Sequence, residues 1–136
     1  MDFVKSIAIA ASGLRTQSGR MRIISENIAN VDSTAQTPGG EPYRRKIPTF
    51  SSQLDRTLDA RVVSLGRARP DMSEFQSKHM PSHPGADARG YVRHPNVNTL
   101  VEMTDMREAQ RSYEANLNVI GAARRMLART LEILKA

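Results

Sequence analysis

Apolar residues recur every seven positions at both ends of the chain and lose that rhythm in the middle. Ile7, Leu14, Met21 and Ile28 form one such line, and Val4, Ala11, Ile24 and Val31 fill the intermediate steps of the same stripe. Towards the C-terminus Met106, Tyr113, Leu117, Ile120, Leu127, Leu131 and Leu134 repeat the pattern. The pattern predicts two amphipathic helices, each with one narrow apolar face. Such helices make poor cores alone and good partners for each other and for neighbouring copies, which suggests a self-assembling subunit.

The boundaries follow from local chemistry. Asp2 is placed to cap the first helix, which should stop near Asn30, where Asp32, Ser33, Thr34, Thr37, Pro38, Gly39, Gly40 and Pro42 accumulate. Gly13 and Gly19 weaken that helix and leave shallow places where another helix can approach. Thr99 and Glu102 have the T-x-x-E spacing of a capping box and mark the start of the last helix. Gln110 and Arg124 fall on its stripe, and polar residues on a seam restrict register. Between the helices, Tyr43 to Phe50 has strand character interrupted by Pro48. Gln53 to Leu65 fits either a helix, through Leu54, Leu58 and Val62, or a strand beginning at Val62 and Val63. Pro70, Pro81, Pro84, Gly85, Gly90 and Pro95 allow only small hairpins as far as Asn96. The expected organisation is an N-terminal helix over 1–31, a central loop and β-containing segment over 32–96, and a C-terminal helix over 97–136.

Length sharpens the reading. A helix from Thr99 to Lys135 extends about 50 Å at 1.5 Å per residue, whereas a compact globule of this chain length has a radius of gyration of about 14 Å. Its own chain cannot wrap it, so other subunits are expected to cover part of it. Aromatic residues make up only 4% of the 136, so packing must come from aliphatic stripes rather than a few bulky anchors.

The 20 Lys and Arg against 14 Asp and Glu give a net charge of +6, which could attract nucleic acid, anionic lipid or an acidic protein surface. The cations are dispersed, with short groups at Arg44, Arg45 and Lys46 and at Arg124 and Arg125. Without a concentrated basic helix or aromatic stacking platforms, a nucleic-acid-binding coiled coil is the weaker reading. Cysteine is absent, which excludes disulfides and thiolate metal sites. The run Ile7 to Ala11 after Lys5 is too short and too punctuated for a cleaved signal, and no stretch reaches the length of a membrane span.

Candidate catalytic chemistry is thin. His79 and His83 have the four-residue spacing of a helical metal pair, but Pro81, Pro84 and Gly85 oppose the helix, leaving only a loop site with His94 and Asp87 to consider. Glu102 and Asp105 are explained by helix capping and the helix dipole. There is no phosphate loop or nucleophile elbow, so no enzyme, cofactor or metal is expected.

Two stretches carry more than periodicity. The first comprises Ser12-Gly13-Leu14, then Ser25-Glu26-Asn27-Ile28-Ala29-Asn30-Val31, then Pro42-Tyr43-Arg44-Arg45-Lys46 and Phe50. The second comprises His83-Pro84, Gly90-Tyr91-Val92, Pro95-Asn96-Val97-Asn98, Glu102-Met103, Asp105-Met106 and Arg111 through Tyr113 to Asn116. Together they resemble the bacterial flagellar axial proteins of the basal-body rod family, and within it the proximal-rod members. The likeness covers both termini, while Gln53 to Met80 contributes little. Val31-Asp32-Ser33-Thr34 departs from the usual continuation of the N-A-N element, and the tail from Arg124 is unusually rich in arginine.

The resemblance implies a mainly α fold, with the terminal helices paired as a coiled coil in an inner tube and a small β-containing outer segment. It also implies a structural subunit that transmits torque and encloses an export channel, reaches the periplasmic rod through the flagellar type III apparatus, and inserts in no membrane. The implied partners are copies of itself, other proximal-rod proteins, the distal-rod protein, the rod-base adaptor and the membrane-ring protein. Asn27 and Asn30 are read as turn and helix-end residues. Tyr113 and Asn116 are read as core or as intersubunit contacts, with Tyr113 lying on the stripe. Pro42, Tyr43, Arg44, Arg45 and Lys46 are either a docking loop for an acidic or carbonyl-rich neighbour or a solvated basic edge.

Overall fold

A computed structural model of the chain describes residues 2–135. Two long helices enclose six short strands in sequence: α1 (Phe3–Ala29), β1 (Lys46–Ile47), β2 (Phe50–Asp55), β3 (Ala60–Leu65), β4 (Arg69–Pro70), β5 (Gln76–His79), β6 (Tyr91–His94) and α2 (Thr99–Lys135). The strands pair as three antiparallel two-stranded ladders, β1 with β4, β2 with β3 and β5 with β6. Contacts divide the chain into two compact units. One contains α1 as far as Met21, the segment Thr49–Arg67 and α2 from Arg107 onward; the other contains Arg22–Pro48 and Ala68–Met106.

Asp2 caps α1 as its position suggests, its Oδ1 accepting from the amides of Val4 (3.1 Å) and Lys5 (3.2 Å). At the far end the Asn30 side chain donates to the Glu26 carbonyl at 2.8 Å, and Asn30 Oδ1 accepts from Ser33 Oγ at 3.0 Å. The start of α2 differs from the capping-box expectation. Asn98 is the cap, with Oδ1 accepting from Leu100 N (3.0 Å) and Val101 N (3.4 Å). Glu102 does not fold back over the helix end; it is fully buried with its carboxylate turned inward. Asn at the cap satisfies the orphan amides, and an inward cation then recruits the carboxylate.

In the first unit the most buried helix positions are small: Ala10, Ser12 and Thr16 on α1, and Ala109 and Ala123 on α2. A Cβ built on Gly13 would stand 2.7 Å from Asn116 Oδ1, so the missing side chain is what admits Asn116. Arg20 reaches Glu108 at 3.3 Å, and these two pairs make the helices antiparallel within this unit. The ambiguous segment Gln53 to Leu65 lies in the β2–β3 hairpin, registered from Phe50 opposite Leu65 to Asp55 opposite Ala60. Asp55 Oδ1 accepts from Thr57 N (2.9 Å) and Leu58 N (3.2 Å), and Asp59 takes a positive φ of 46°. This Asx turn overrides the helical spacing of Leu54, Leu58 and Val62.

In the second unit Ile23, Ile24, Val92, Pro42 and Pro95 are buried around two polar side chains, Asn27 and Glu102. Gly90 turns β6 back on β5 with φ of 79°, in a position where its amide donates to Asp87 O at 2.9 Å.

Candidate functional site

The most densely hydrogen-bonded buried group of side chains described is the polar cluster of the second unit. Asn27 is fully buried and uses its whole hydrogen-bonding capacity. Its Oδ1 accepts from Tyr43 Oη (2.8 Å) and Lys46 N (2.9 Å), while Nδ2 donates to Lys46 O (2.8 Å) and Glu102 Oε2 (3.1 Å). One side chain thereby holds the last turn of α1, the backbone of β1 and the first turn of α2. Asn27 lies in the last turn of α1, and its side chain is a hub inside the unit, because the partners of that side chain lie across the fold and not along its own helix.

Arg45 completes the cluster. Its Nε donates to Glu102 Oε1, Nη1 pairs with Asp71 Oδ2 at 3.3 Å and Nη2 lies 3.7 Å from Asp105 Oδ2. Burial works against the guanidinium charge, but Glu102 and then Asp71 outweigh it and raise its pKa further. Asp71 is held below the usual carboxylate range by the amide of Ser73 in the first place, with burial opposing and Arg45 assisting. The Tyr43 phenol is pushed up to about 12, chiefly by burial and then by the negative charges of Glu26 and Glu102. Asn96 ties the same region to the loop after β4: Oδ1 accepts from Arg45 N at 2.8 Å and Nδ2 donates to Asp71 O at 3.0 Å.

The segment singled out as a docking loop is therefore engaged within its own chain. Pro42 is buried, and Lys46 pairs with Glu26. Arg44 donates to Asp71 O at 2.8 Å and stacks over Phe75 at 4.2 Å from the ring centroid. The other motif residues also have structural work. Ser12 Oγ donates to Ile9 O (2.7 Å) and accepts from Val63 N (3.2 Å); Pro95 is buried, Asn98 caps α2, and Asn116 faces Gly13 while donating to Ser112 O at 2.8 Å. Leu14, Ile28, Tyr113 and Val97 are half-buried, and Ala29 is exposed.

The predicted stripe is split. Ile7, Leu14, Met21, Ile28, Tyr113 and Ile120 are half-buried. Leu117, Leu127, Leu131 and Leu134 are exposed, from 39% at Leu127 to 76% at Leu134. Buried positions of α2 instead include Glu102, Ala109 and Ala123, a line seven residues apart that Asn116 completes. Small and polar residues mask this line in a reading that searches for large aliphatics.

Two of the three histidines have partners other than a metal, and the third, His94, has a buried Nε2 without a hydrogen-bond partner. His83 Nδ1 accepts from Gly85 N (3.0 Å) and its Nε2 meets Thr34 Oγ1 (3.1 Å), while His79 packs edge-on against Tyr91. Among the described residues no group of three or more His, Cys, Asp or Glu gathers as a metal site would require, and no helix is long and apolar enough to cross a membrane.

Two family models match this chain, one at each end. The flagella basal body rod protein family matches residues 7–35, and the flagellar basal body rod FlgEFG protein C-terminal family matches residues 88–133. Relatives similar along nearly the whole chain narrow the assignment. The flagellar basal-body rod protein FlgC of Agrobacterium fabrum is 52% identical, covering 94% of this chain and 92% of the relative. The FlgC proteins of Bacillus subtilis and Salmonella typhimurium are 39% and 37% identical, the alignments covering 99% and 98% of this chain and 100% and 98% of the relatives. The chain belongs to the flagellar basal-body rod protein FlgC family, whose members are structural components of the rod and not enzymes.

Proposed function

We propose that the chain is a subunit of the proximal rod that assembles helically with other axial proteins, transmits torque and encloses the export channel. The observation that carries this reading is the uncovered apolar face of α2. Beyond Ala123, Met126, Leu127, Leu131, Ile133 and Leu134 are all exposed, in a helix of 37 residues. A sustained exposed apolar face marks an interaction surface. Many packed contacts along such helices resist sliding between subunits, as torque transmission demands.

In this reading residues 1–31 and 97–136 pair as a coiled coil and 32–96 form the outer segment. Support comes from the register of the contacts: Gly13 with Asn116 in one unit and Asn27 with Glu102 in the other are two heptads apart on each helix. The basic segment contributes by fixing the start of α2, since Tyr43, Arg45 and Lys46 are all committed to intrachain partners. Copies of the chain, the other proximal-rod proteins, the distal-rod protein, the rod-base adaptor and the membrane-ring protein are the proposed neighbours. The proposed location is the periplasmic rod, reached through the flagellar type III apparatus without a cleaved signal peptide.

The test places a charge on the exposed face. Leu127→Asp and Leu117→Asp should leave the monomer folded, because both side chains are already exposed, yet stop rod completion by burying an unpaired carboxylate in every copy. Motile cells with intact rods carrying either variant would refute the reading.

A further inference from the structure

The β2–β3 hairpin has one covered edge and one open edge. Thr49 O accepts from Gly66 N at 2.7 Å, which sets the alternation of inward and outward backbone groups along the ladder. Val63 accordingly turns its amide and carbonyl away from β2, where α1 meets both: Val63 N donates to Ser12 Oγ, and Thr16 Oγ1 donates to Val63 O at 3.3 Å. By the same alternation Phe50, Ser52 and Leu54 turn their backbone groups outward on the opposite edge. Among the described residues none of those groups has a hydrogen-bond partner.

Exposed edges are ordinarily blunted by a charge, a proline or a bulge. The other strands follow that rule, with Pro70 in β4 and Lys78 in β5. Strand β2 has neither lysine nor proline, and its ladder is unbroken over six residues. Phe50 and Leu54 on one face are 48% and 58% exposed. An open, partly apolar edge whose single charge, Asp55, lies at its end and belongs to the alternate set facing β3 is a template for another strand.

The side-chain order identifies the occupant. Around Ser52 the outward-bonding positions read Phe50, Ser52, Leu54: apolar, serine, apolar in either direction. An antiparallel copy centred on Ser52 sets Phe50 against Leu54 of the second copy, Leu54 against Phe50, and Ser52 against Ser52. On the other face Ser51 opposes Gln53, and at the ends Thr49 opposes Asp55, so no like charges meet. We infer that the outer edge of β2 is a strand-addition site for β2 of a second copy of this chain, giving a four-stranded sheet with a two-fold axis at Ser52. The interface is smaller than a stable dimer needs, so pairing is weak and grows with local concentration. Being isologous, it closes at two copies and describes pairs of free chains, not the repeating contact of a helical assembly. It stands on the hairpin alone and does not depend on the rod reading.

Because the chain has no cysteine, single introduced thiols report the register in the full-length protein. In the paired state the two Ser52 Cα atoms should be about 5.5 Å apart, within the range a disulfide spans. Under mild oxidation Ser52→Cys should form covalent dimers roughly tenfold faster than Ser51→Cys or Leu54→Cys, through the raised effective concentration of the facing thiols. Mixing Phe50→Cys with Leu54→Cys should give the heterodimer in preference to either homodimer. Adding Leu54→Pro to Ser52→Cys should abolish the advantage, since that proline removes an outward amide and leaves the ladder to β3 intact. Amide protection at Val62 and Ser64 checks that the hairpin persists. Equal cross-linking at 51, 52 and 54, or an undiminished Ser52→Cys rate beside Leu54→Pro, would overturn the inference.

Discussion

Removing Arg45 and removing Glu102 should cost different amounts, and removing both should cost less than the sum. Glu102 is fully buried and has two partners, Arg45 and Asn27. Arg45→Met leaves its carboxylate in the interior with a neutral amide as the remaining donor. Breaking a buried ion pair in this way typically costs about 3–5 kcal/mol. Arg45 is better insured, because its side chain is 19% exposed and Asp71 and Asp105 remain beside it. Glu102→Leu should therefore cost about 2 kcal/mol, at the lower end of what losing a charged hydrogen bond inflicts. The double variant replaces a desolvated pair with apolar groups, so it should be more stable than Arg45→Met alone, with a coupling energy of about 1–3 kcal/mol.

The assay is urea unfolding of each purified chain, with amide exchange at Arg45 to Ile47 reporting the cluster locally. With a urea slope of about 1–2 kcal/mol/M for a chain of this size, Arg45→Met should lower the midpoint by about 2 M or more. Two single variants within about 0.5 kcal/mol of each other, or a double variant whose cost equals their sum, would refute the assignment of Glu102 as the charge that Arg45 exists to neutralise.

Gly13→Ala should destabilise the chain by about 1 kcal/mol net, overpacking against Asn116 exceeding the helix propensity gained; adding Asn116→Ala should return that loss, as read by thermal unfolding, and a double variant no more stable than Gly13→Ala would point away from that contact. Tyr43 gives a pH signature at the alkaline end. Its folded pKa lies near 12 against an ordinary value of 10.0, so its contribution is complete below pH 10 and is lost as the pH rises towards 12. The loss should be on the order of 2 kcal/mol after allowance for partial exposure. Tyr43→Phe should flatten that part of the stability profile, and an unaltered profile would remove Tyr43 from the buried cluster.

What could be read from the chain was whatever rests on neighbours in sequence. Asp2 sits two and three residues from the amides it caps, and the proline and glycine loop after Asn30 ends α1 by its own chemistry. What escaped depends on residues far apart. The spacing of Thr99 and Glu102 fits a capping box, but it cannot say which way the carboxylate turns, and Arg45 decides that from 57 positions away. Separations of 27 and 20 positions likewise hid the destinations of Arg44 and Lys46, which with Arg45 look as a local run like a solvent-facing cluster. Asn27 offered one usable signal, a polar residue between Ile24 and Ile28 on an apolar stripe. A seam that tolerates such a residue must satisfy it, and four hydrogen bonds do so.

The helices divide two tasks between their ends. At the start of α2, Asn27, Tyr43, Arg45 and Glu102 contribute contacts that tolerate one geometry, because each donor and acceptor has a named partner and a slip would leave buried groups unpaired. Beyond Ala123 the exposed residues are largely Leu, Ile and Met beside Arg124, Arg125 and Arg129, which tolerate many partners and lose little when shifted. A subunit meant to meet several different neighbours needs that order. Polar contacts within the chain fix where α2 begins, and in the proposed rod the apolar tail gains its stability from whatever chain lies beside it. An equally polar tail would make each neighbour satisfy a separate hydrogen-bond pattern, and an equally apolar start would leave the helix free to slide by a turn.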